Sequence, residues 1–156
     1  MGEPLEVGDK APEIVSVTAS GDTVDFAKLY KQGVVLLYFF PKSGTRGCTA
    51  QACNLRDKRS ELEEAGISVF GVSTDGEKLQ TLFINEYGLN FTLISDTKGK
   101  LGEAFGVSLR RETYYNRQSF LVKDGVVIWR DLKVIPETQA EDVLAALKEL
   151  ESEKSG

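Results

Sequence analysis

Cys48 and Cys53 are the only two cysteines of this 156-residue chain, and the chain has no histidine. Both lie between Tyr38 and Asp57, where the apolar run Val34 to Phe40 gives way to a turn carrying Pro41, Thr45 and Gly47. Cys48 stands where a helix would open. A helix N-terminus presents unpaired N–H groups and roughly half a positive charge, which favours a thiolate over a thiol. Such surroundings bring a cysteine from about 8.5 into the range of about 3.5–7.5. A free cysteine is more often a small buried hydrophobe, but the strand–turn–helix position behind Pro41 and Thr45 favours a reactive one. The missing imidazole excludes Ser-His-Asp and Cys-His hydrolases and histidine-ligated zinc. Two cysteines alone cannot close a tetrahedral zinc site. A dipole, a cation or a hydrogen bond must therefore activate Cys48.

The elements that would hold these groups can be read along the chain. Ile14 to Thr18 and Thr23 to Phe26, split by Ser20-Gly21-Asp22, form a hairpin pattern. Val34 to Phe40 suits a strand buried on both faces. One helix follows to about Ala65, with Gly66 as its stop signal. Ile67 to Ser73 is a second buried strand, and Leu79, Leu82, Phe83 and Tyr87 then fall at helical spacing before Gly88. Thr92 to Ser95 is a short strand, and Leu101 to Phe105 a short helix. Ser119 to Lys123 and Val126 to Asp131 flank Asp124-Gly125, a strong two-residue hairpin signal. Thr138 and Glu141 form a capping box for a last helix with Val143, Leu144, Leu147 and Leu150 inward. The tail from residue 152 to 156 is polar and expected to fray. Alternating strands and helices followed by a hairpin give a mixed central sheet flanked by helices. The fold class expected is α/β, thioredoxin-like, with an added N-terminal β-hairpin and a single domain over residues 1–156.

A net charge of −5 with no long basic cluster argues against a nucleic-acid partner. No run approaches the roughly 20 apolar residues needed to span a bilayer. The opening residues are acidic and lack the basic and apolar regions of a secretory signal. With so few cysteines, these features place the expected site of action in the reducing cytoplasm. Tyr114, Tyr115 and Trp129 read as cover for a sheet, and Arg46, Arg56, Arg110 and Arg111 as solvated surface.

Pro41, Thr45 and Cys48 form a Pro-x-x-x-Thr-x-x-Cys signature, Cys53 follows five residues later, and Arg117-Gln118-Ser119-Phe120 stands beside the later hairpin. In these motifs, and nearly end to end, the chain resembles the peroxiredoxins, most closely the peroxiredoxin Q or bacterioferritin comigratory protein group. The resemblance implies a monomeric thiol peroxidase without cofactor or metal. Its substrates would be hydrogen peroxide and organic hydroperoxides, and its reductant thioredoxin or a similar dithiol protein. Cys48 would be the peroxidatic residue and Cys53 the resolving one. The Thr45 hydroxyl would contact the thiolate and peroxide, Arg117 would hold the thiolate and polarise the O–O bond, and Pro41 would shield the site. The chain departs from the family at Arg46, where proline is usual, and at Gln51, where glutamate is favoured. The latter removes a carboxylate expected to orient nearby arginines.

Residues five apart in an intact helix lie about 7.5 Å apart along the axis and about 140° around it, so their Cα atoms are roughly 8–9 Å apart. A disulfide tolerates about 4.4–6.8 Å. Bridging Cys48 and Cys53 therefore requires the helix start to unwind. Two rival readings are a thioredoxin-like protein disulfide oxidoreductase, which needs Cys-x-x-Cys spacing, and a non-enzymatic redox sensor or adaptor.

Overall fold

Every residue of Val34–Phe39 is buried, as expected of a strand with β-branched, aliphatic and aromatic side chains on both faces. This strand, β3, is the middle of a five-stranded sheet. The computed structural model describes residues 3–155; Met1, Gly2 and the last tail residue, Gly156, lie outside the described residues. In chain order the elements are strands β1 (Val15–Val17) and β2 (Thr23–Asp25), helix α1 (Phe26–Leu29), β3, α2 (Arg46–Asp57) and α3 (Arg59–Glu64). There follow β4 (Ile67–Ser73), α4 (Glu77–Tyr87), β5 (Thr92–Ser95), α5 (Lys100–Phe105), β6 (Leu109–Arg110) and β7 (Tyr114–Tyr115). The chain closes with β8 (Gln118–Lys123), β9 (Val126–Asp131), a 3-10 turn over Pro136–Thr138 and α6 (Gln139–Ser155).

The central sheet runs β5-β4-β3-β8-β9. β3 is parallel to β4 and antiparallel to β8, so the sheet is mixed. Successive β3 side chains enter opposite cores, as the two-residue period requires. Leu36, Tyr38 and Phe40 pack with Cys48, Ala52, Leu55, Leu62, Phe83 and Val143. Val35, Leu37 and Phe39 pack with Phe26, Tyr30, Leu101, Phe105 and Tyr115 on the other side. Asp124 and Gly125 both take positive φ, 51° and 78°, matching the turn expected between β8 and β9.

Several local expectations are corrected. Phe26 does not extend β2 but opens α1, because the Asp25 carboxylate accepts from the Ala27 N–H at 3.1 Å and caps that turn. The helix expected to run to Ala65 breaks at Lys58, whose φ and ψ are −100° and 9°. On α4 the buried face is Gln80 and Phe83, while Leu79 and Leu82 point outward. Gln80 decides this, since its amide donates to Ser73 Oγ and the Ile94 carbonyl. The Thr138–Glu141 capping box does not form, because Thr138 lies in the 3-10 turn and its hydroxyl bonds Asp142. Asn54 of α2 caps α6 instead, accepting from the Ala140 N–H at 2.7 Å. The tail expected to fray continues α6 to Ser155. The small β6–β7 hairpin carries no hydrophobic alternation, which is why the sequence gives no warning of it.

Candidate active site

Phe40 ends the run of β3 residues with its N–H on the Val72 carbonyl, and Pro41, which has no N–H, cannot extend the ladder. The turn that follows is anchored from below. The Asp75 carboxylate, buried at the end of β4, accepts from the Ser43 N–H at 2.7 Å and from Ser73 Oγ at 2.9 Å. Thr45 is the N-cap residue of α2, extended at φ −76° and ψ 159°. Its hydroxyl does not cap the helix; it donates to the Lys42 carbonyl at 2.7 Å. Thr45 thus closes the turn, with its hydroxyl engaged by the Lys42 carbonyl rather than by the Cys48 thiol.

Cys48 is the third residue of α2 and is 1% exposed. Arg117, the residue just before β8, reaches it. Nη2 donates toward Cys48 Sγ at 3.5 Å, and Nη1 donates to Gln51 Oε1 at 2.8 Å. Gly47 makes room for this approach, since a Cβ there would stand 2.7 Å from Arg117 Nη2. The guanidinium cannot lose its proton, so it brings a permanent positive charge to the sulfur.

Gln51 corrects the expectation that losing the carboxylate removes the group that orients an arginine. Its side-chain carbonyl performs that task without adding negative charge beside the thiol. Arginine only donates, so Gln51 must turn Oε1 toward it and Nε2 the other way. Nε2 then donates to Gln139 Oε1 at 2.9 Å, and that oxygen also accepts from the Ser119 hydroxyl. Gln51, Gln139 and Ser119 are all 0% exposed. A buried polar chain of this kind holds each member in one orientation, because releasing a partner leaves a desolvated group unpaired.

Cys53 lies on the same continuous helix and is only partly buried. Both cysteines are free thiols. Arg56, expected as solvated surface, has a side chain 31% exposed and is also tied down, its Nη1 donating to the Tyr87 carbonyl and its Nε to Asp57. The Asp57 bond, and with it the field of Cys53, holds the Arg56 proton more tightly than usual. Tyr38, 1% exposed, lies under the helix. Burial first, then the charge of Cys48, pushes its phenol well above the ordinary range, against an opposing effect of Arg117.

The structure thus brings Cys48 and Arg117 together, places Pro41 and Thr45 on the wall of an outer cavity, and sets Cys53 five residues further along α2. Sequence reasoning missed Gln51 as a partner of Arg117, named Ser119 only within a motif, and missed Gln139, Asn54 and Asp75. An open cavity of about 400 Å³ lies outside, lined by Pro41, Lys42, Thr45, Arg110, Arg111 and Tyr114. Arg46 is exposed. Such a site can hold a sulfur anion near a fixed cation and can admit a small electrophile past Thr45.

Residues 7–130 match the AhpC/TSA family. Peroxiredoxin Bcp of Escherichia coli strain K12 is 42% identical over 125 residues, which cover 76% of this chain and 80% of that protein. Peroxidoxin BcpB from Mycobacterium tuberculosis superposes with a TM-score of 0.86 at 27% identity, over 93% of this chain and 97% of that one. The bacterioferritin comigratory protein of Xanthomonas campestris, solved in trapped intermediate/ligand complexes bearing on its alkyl peroxide reduction activity, gives 0.82 at 26% identity, over 95% and 98%.

Proposed function

This chain belongs to the AhpC/TSA family, as a peroxidase of the peroxiredoxin type, and from that premise we propose that Cys48 reduces hydrogen peroxide and organic hydroperoxides with Cys53 as its resolving thiol. The observation that carries this reading is the guanidinium of Arg117 at 3.5 Å from Cys48 Sγ. In the first step the Cys48 thiolate attacks the terminal peroxide oxygen. An S–O bond forms, the O–O bond breaks, and the departing oxygen takes a proton to leave as water or an alcohol, giving a sulfenic acid. Arg117 stabilises the negative charge that moves from sulfur to the leaving oxygen. Pro41 limits water at the sulfur, and Thr45 can turn its hydroxyl from the Lys42 carbonyl to the incoming peroxide.

In the second step the Cys53 thiolate attacks the Cys48 sulfur, an S–S bond forms, and hydroxide leaves as water. Both residues sit on the intact helix Arg46–Asp57, at a Cα separation of roughly 8–9 Å for that geometry, so α2 must open first. Opening breaks the Gln51–Gln139 bond and the two bonds from Asn54 to Ala140 and Glu141. Each contributes about 0.5–1.5 kcal/mol, comparable to the roughly 2 kcal/mol by which closing so short a loop constrains the chain. The disulfide is therefore readily reducible, which suits recycling by thioredoxin or a similar dithiol protein. The resemblance to the peroxiredoxin Q group supports a monomeric working form, and the scarcity of cysteines supports the reducing cytoplasm; among the described residues no helix is long and apolar enough to cross a membrane.

The test is peroxide consumption with a thioredoxin system for wild type, Cys48→Ser and Cys53→Ser. The first variant should consume nothing, and the second should stop after one equivalent unless an external thiol is added. Undiminished turnover in Cys53→Ser would remove the resolving role from Cys53.

A further inference from the structure

The cavity outside Thr45 has a wall that the reaction does not use. Lys42, Arg110 and Arg111 line it, together with Pro41, Thr45 and Tyr114, and no carboxylate is among the lining residues. Among the described residues none of the three cations forms an ion pair. That is unexpected in a chain with 24 acidic residues against 19 basic ones. Three like charges facing one hollow repel one another, and a concave, partly apolar wall focuses their field outward.

The backbone presents two of these cations at a cost. Arg111 and Glu112 hold successive positive φ angles of 52° and 57° at the tip of the β6–β7 hairpin. Asn-Gly would fill such a turn with less strain. The tip is nevertheless fixed: the Thr113 N–H bonds the Arg110 carbonyl at 3.1 Å, and Thr74 Oγ1 donates to the Thr113 carbonyl at 2.7 Å. Lys42 is steadied over the Tyr114 ring, its Nζ 6.0 Å from the centroid. Strained backbone persists where the surroundings over-determine it, and it points to use. Glu112, at the same tip, is not part of the cavity wall.

We propose that this hollow selects hydroperoxides that carry a carboxylate, which Arg110, Arg111 and Lys42 hold while the peroxide end passes Thr45 to Cys48. The inference rests on the peroxidase reading and adds a substrate class to it. A volume of about 400 Å³ far exceeds what hydrogen peroxide needs and is in the range of small organic ligands. Guanidinium groups suit a carboxylate because their paired donors match its two oxygens.

The experiment uses one tertiary alkyl hydroperoxide as its carboxylate and as its methyl ester, with Cys48 oxidation followed by rapid-quench alkylation and mass spectrometry. At about 20 mM ionic strength the carboxylate should react about tenfold faster than the ester. That ratio should approach one at about 0.5 M salt, because exposed charges are then screened. It should also approach one in Arg110→Gln/Arg111→Gln, and recover in Arg110→Lys/Arg111→Lys, with circular dichroism verifying that each variant is folded. A wild-type ratio near one at low salt, or an unchanged ratio in the glutamine variant, overturns the proposal. Hydrogen peroxide and the ester are the control on wild type. If both react and the ratio is near one, only the charge selection fails; if neither reacts, the peroxidase reading fails with it.

Discussion

The two ends of α2 hold their sulfurs in opposite ways. At the N-terminal end Cys48 is 1% exposed, faces Arg117, and is backed by the buried series Gln51, Gln139 and Ser119. Further along, Cys53 is partly exposed, and the polar contacts nearby bind its neighbours rather than itself: Asn54 to the start of α6 and Arg56 to the Tyr87 carbonyl. The first end is organised to keep a charge in place. The second is held by peripheral hydrogen bonds, each worth about 0.5–1.5 kcal/mol, and can be released. In the reduced state one helix therefore combines a held nucleophile with a releasable resolver, and the bonds joining α2 to α6, that of Gln51 to Gln139 included, are the latch between the two states.

The comparison can be broken most severely at its fixed end. Arg117→Ala should slow Cys48 oxidation by about 10²–10³-fold, the usual effect of deleting one preorganised donor, and Arg117→Lys should recover only part of this. A rate within about threefold of wild type in stopped-flow oxidation would show that the guanidinium does not support the sulfur. The movable end is sharpened by amide hydrogen exchange across Ala50 to Arg56. Exchange should be at least about tenfold faster in the disulfide form than in the reduced form, as expected for local unfolding; equal protection would mean that α2 does not open. Gln139→Leu tests the brace behind Arg117. It strands Gln51 Nε2, should cost about 1–3 kcal/mol, and should slow oxidation several-fold, with Gln139→Glu restoring the acceptor and the rate.

The smallest effect at working pH concerns the buried phenols. Burial raises Tyr30, Tyr38 and Tyr115 above their ordinary 10.0, helped at Tyr115 by its hydrogen bond to Asp96. The unfolded chain sheds these protons near pH 10 while the folded chain keeps them. The unfolded state then binds fewer protons, so stability is intact below about pH 10 and falls as pH rises beyond it. Urea midpoints should be flat from about pH 7 to 9 and decline above 10. Among the described residues Tyr38 Oη finds no hydrogen-bond partner, so Tyr38→Phe should be near neutral at pH 7 and should lessen the alkaline decline.

The strands, the Asp124-Gly125 turn and the position of Cys48 were legible because each is written in local pattern: a continuous apolar run, a two-residue turn, a cysteine just after a Pro-Thr frame. Arg117 was legible only through its motif. The brace was not, because its bonds join residues far apart in sequence, 88 positions for Gln51 to Gln139 and 86 for Asn54 to the Ala140 N–H. Glutamine and asparagine on helices read as surface until a partner is known. The same blindness misplaced part of α4: Phe83 is buried as its spacing suggests, but Leu79 and Leu82 face outward and Gln80, held by its two bonds, takes the inner position. Arg110 and Arg111 are exposed, as expected of surface arginines. Their convergence on the cavity depends on a strained turn that no local signal announces.

Attack by Cys48 beside Arg117 underlies both halves of the account, and trapping its sulfenic acid with dimedone measures it directly. One equivalent of hydrogen peroxide added to reduced Cys53→Ser should leave about one adduct per chain, on Cys48, and the added Arg117→Ala change should slow its formation by about 10²–10³-fold. A Cys48 still unmodified in Cys53→Ser by peptide mass spectrometry would contradict it.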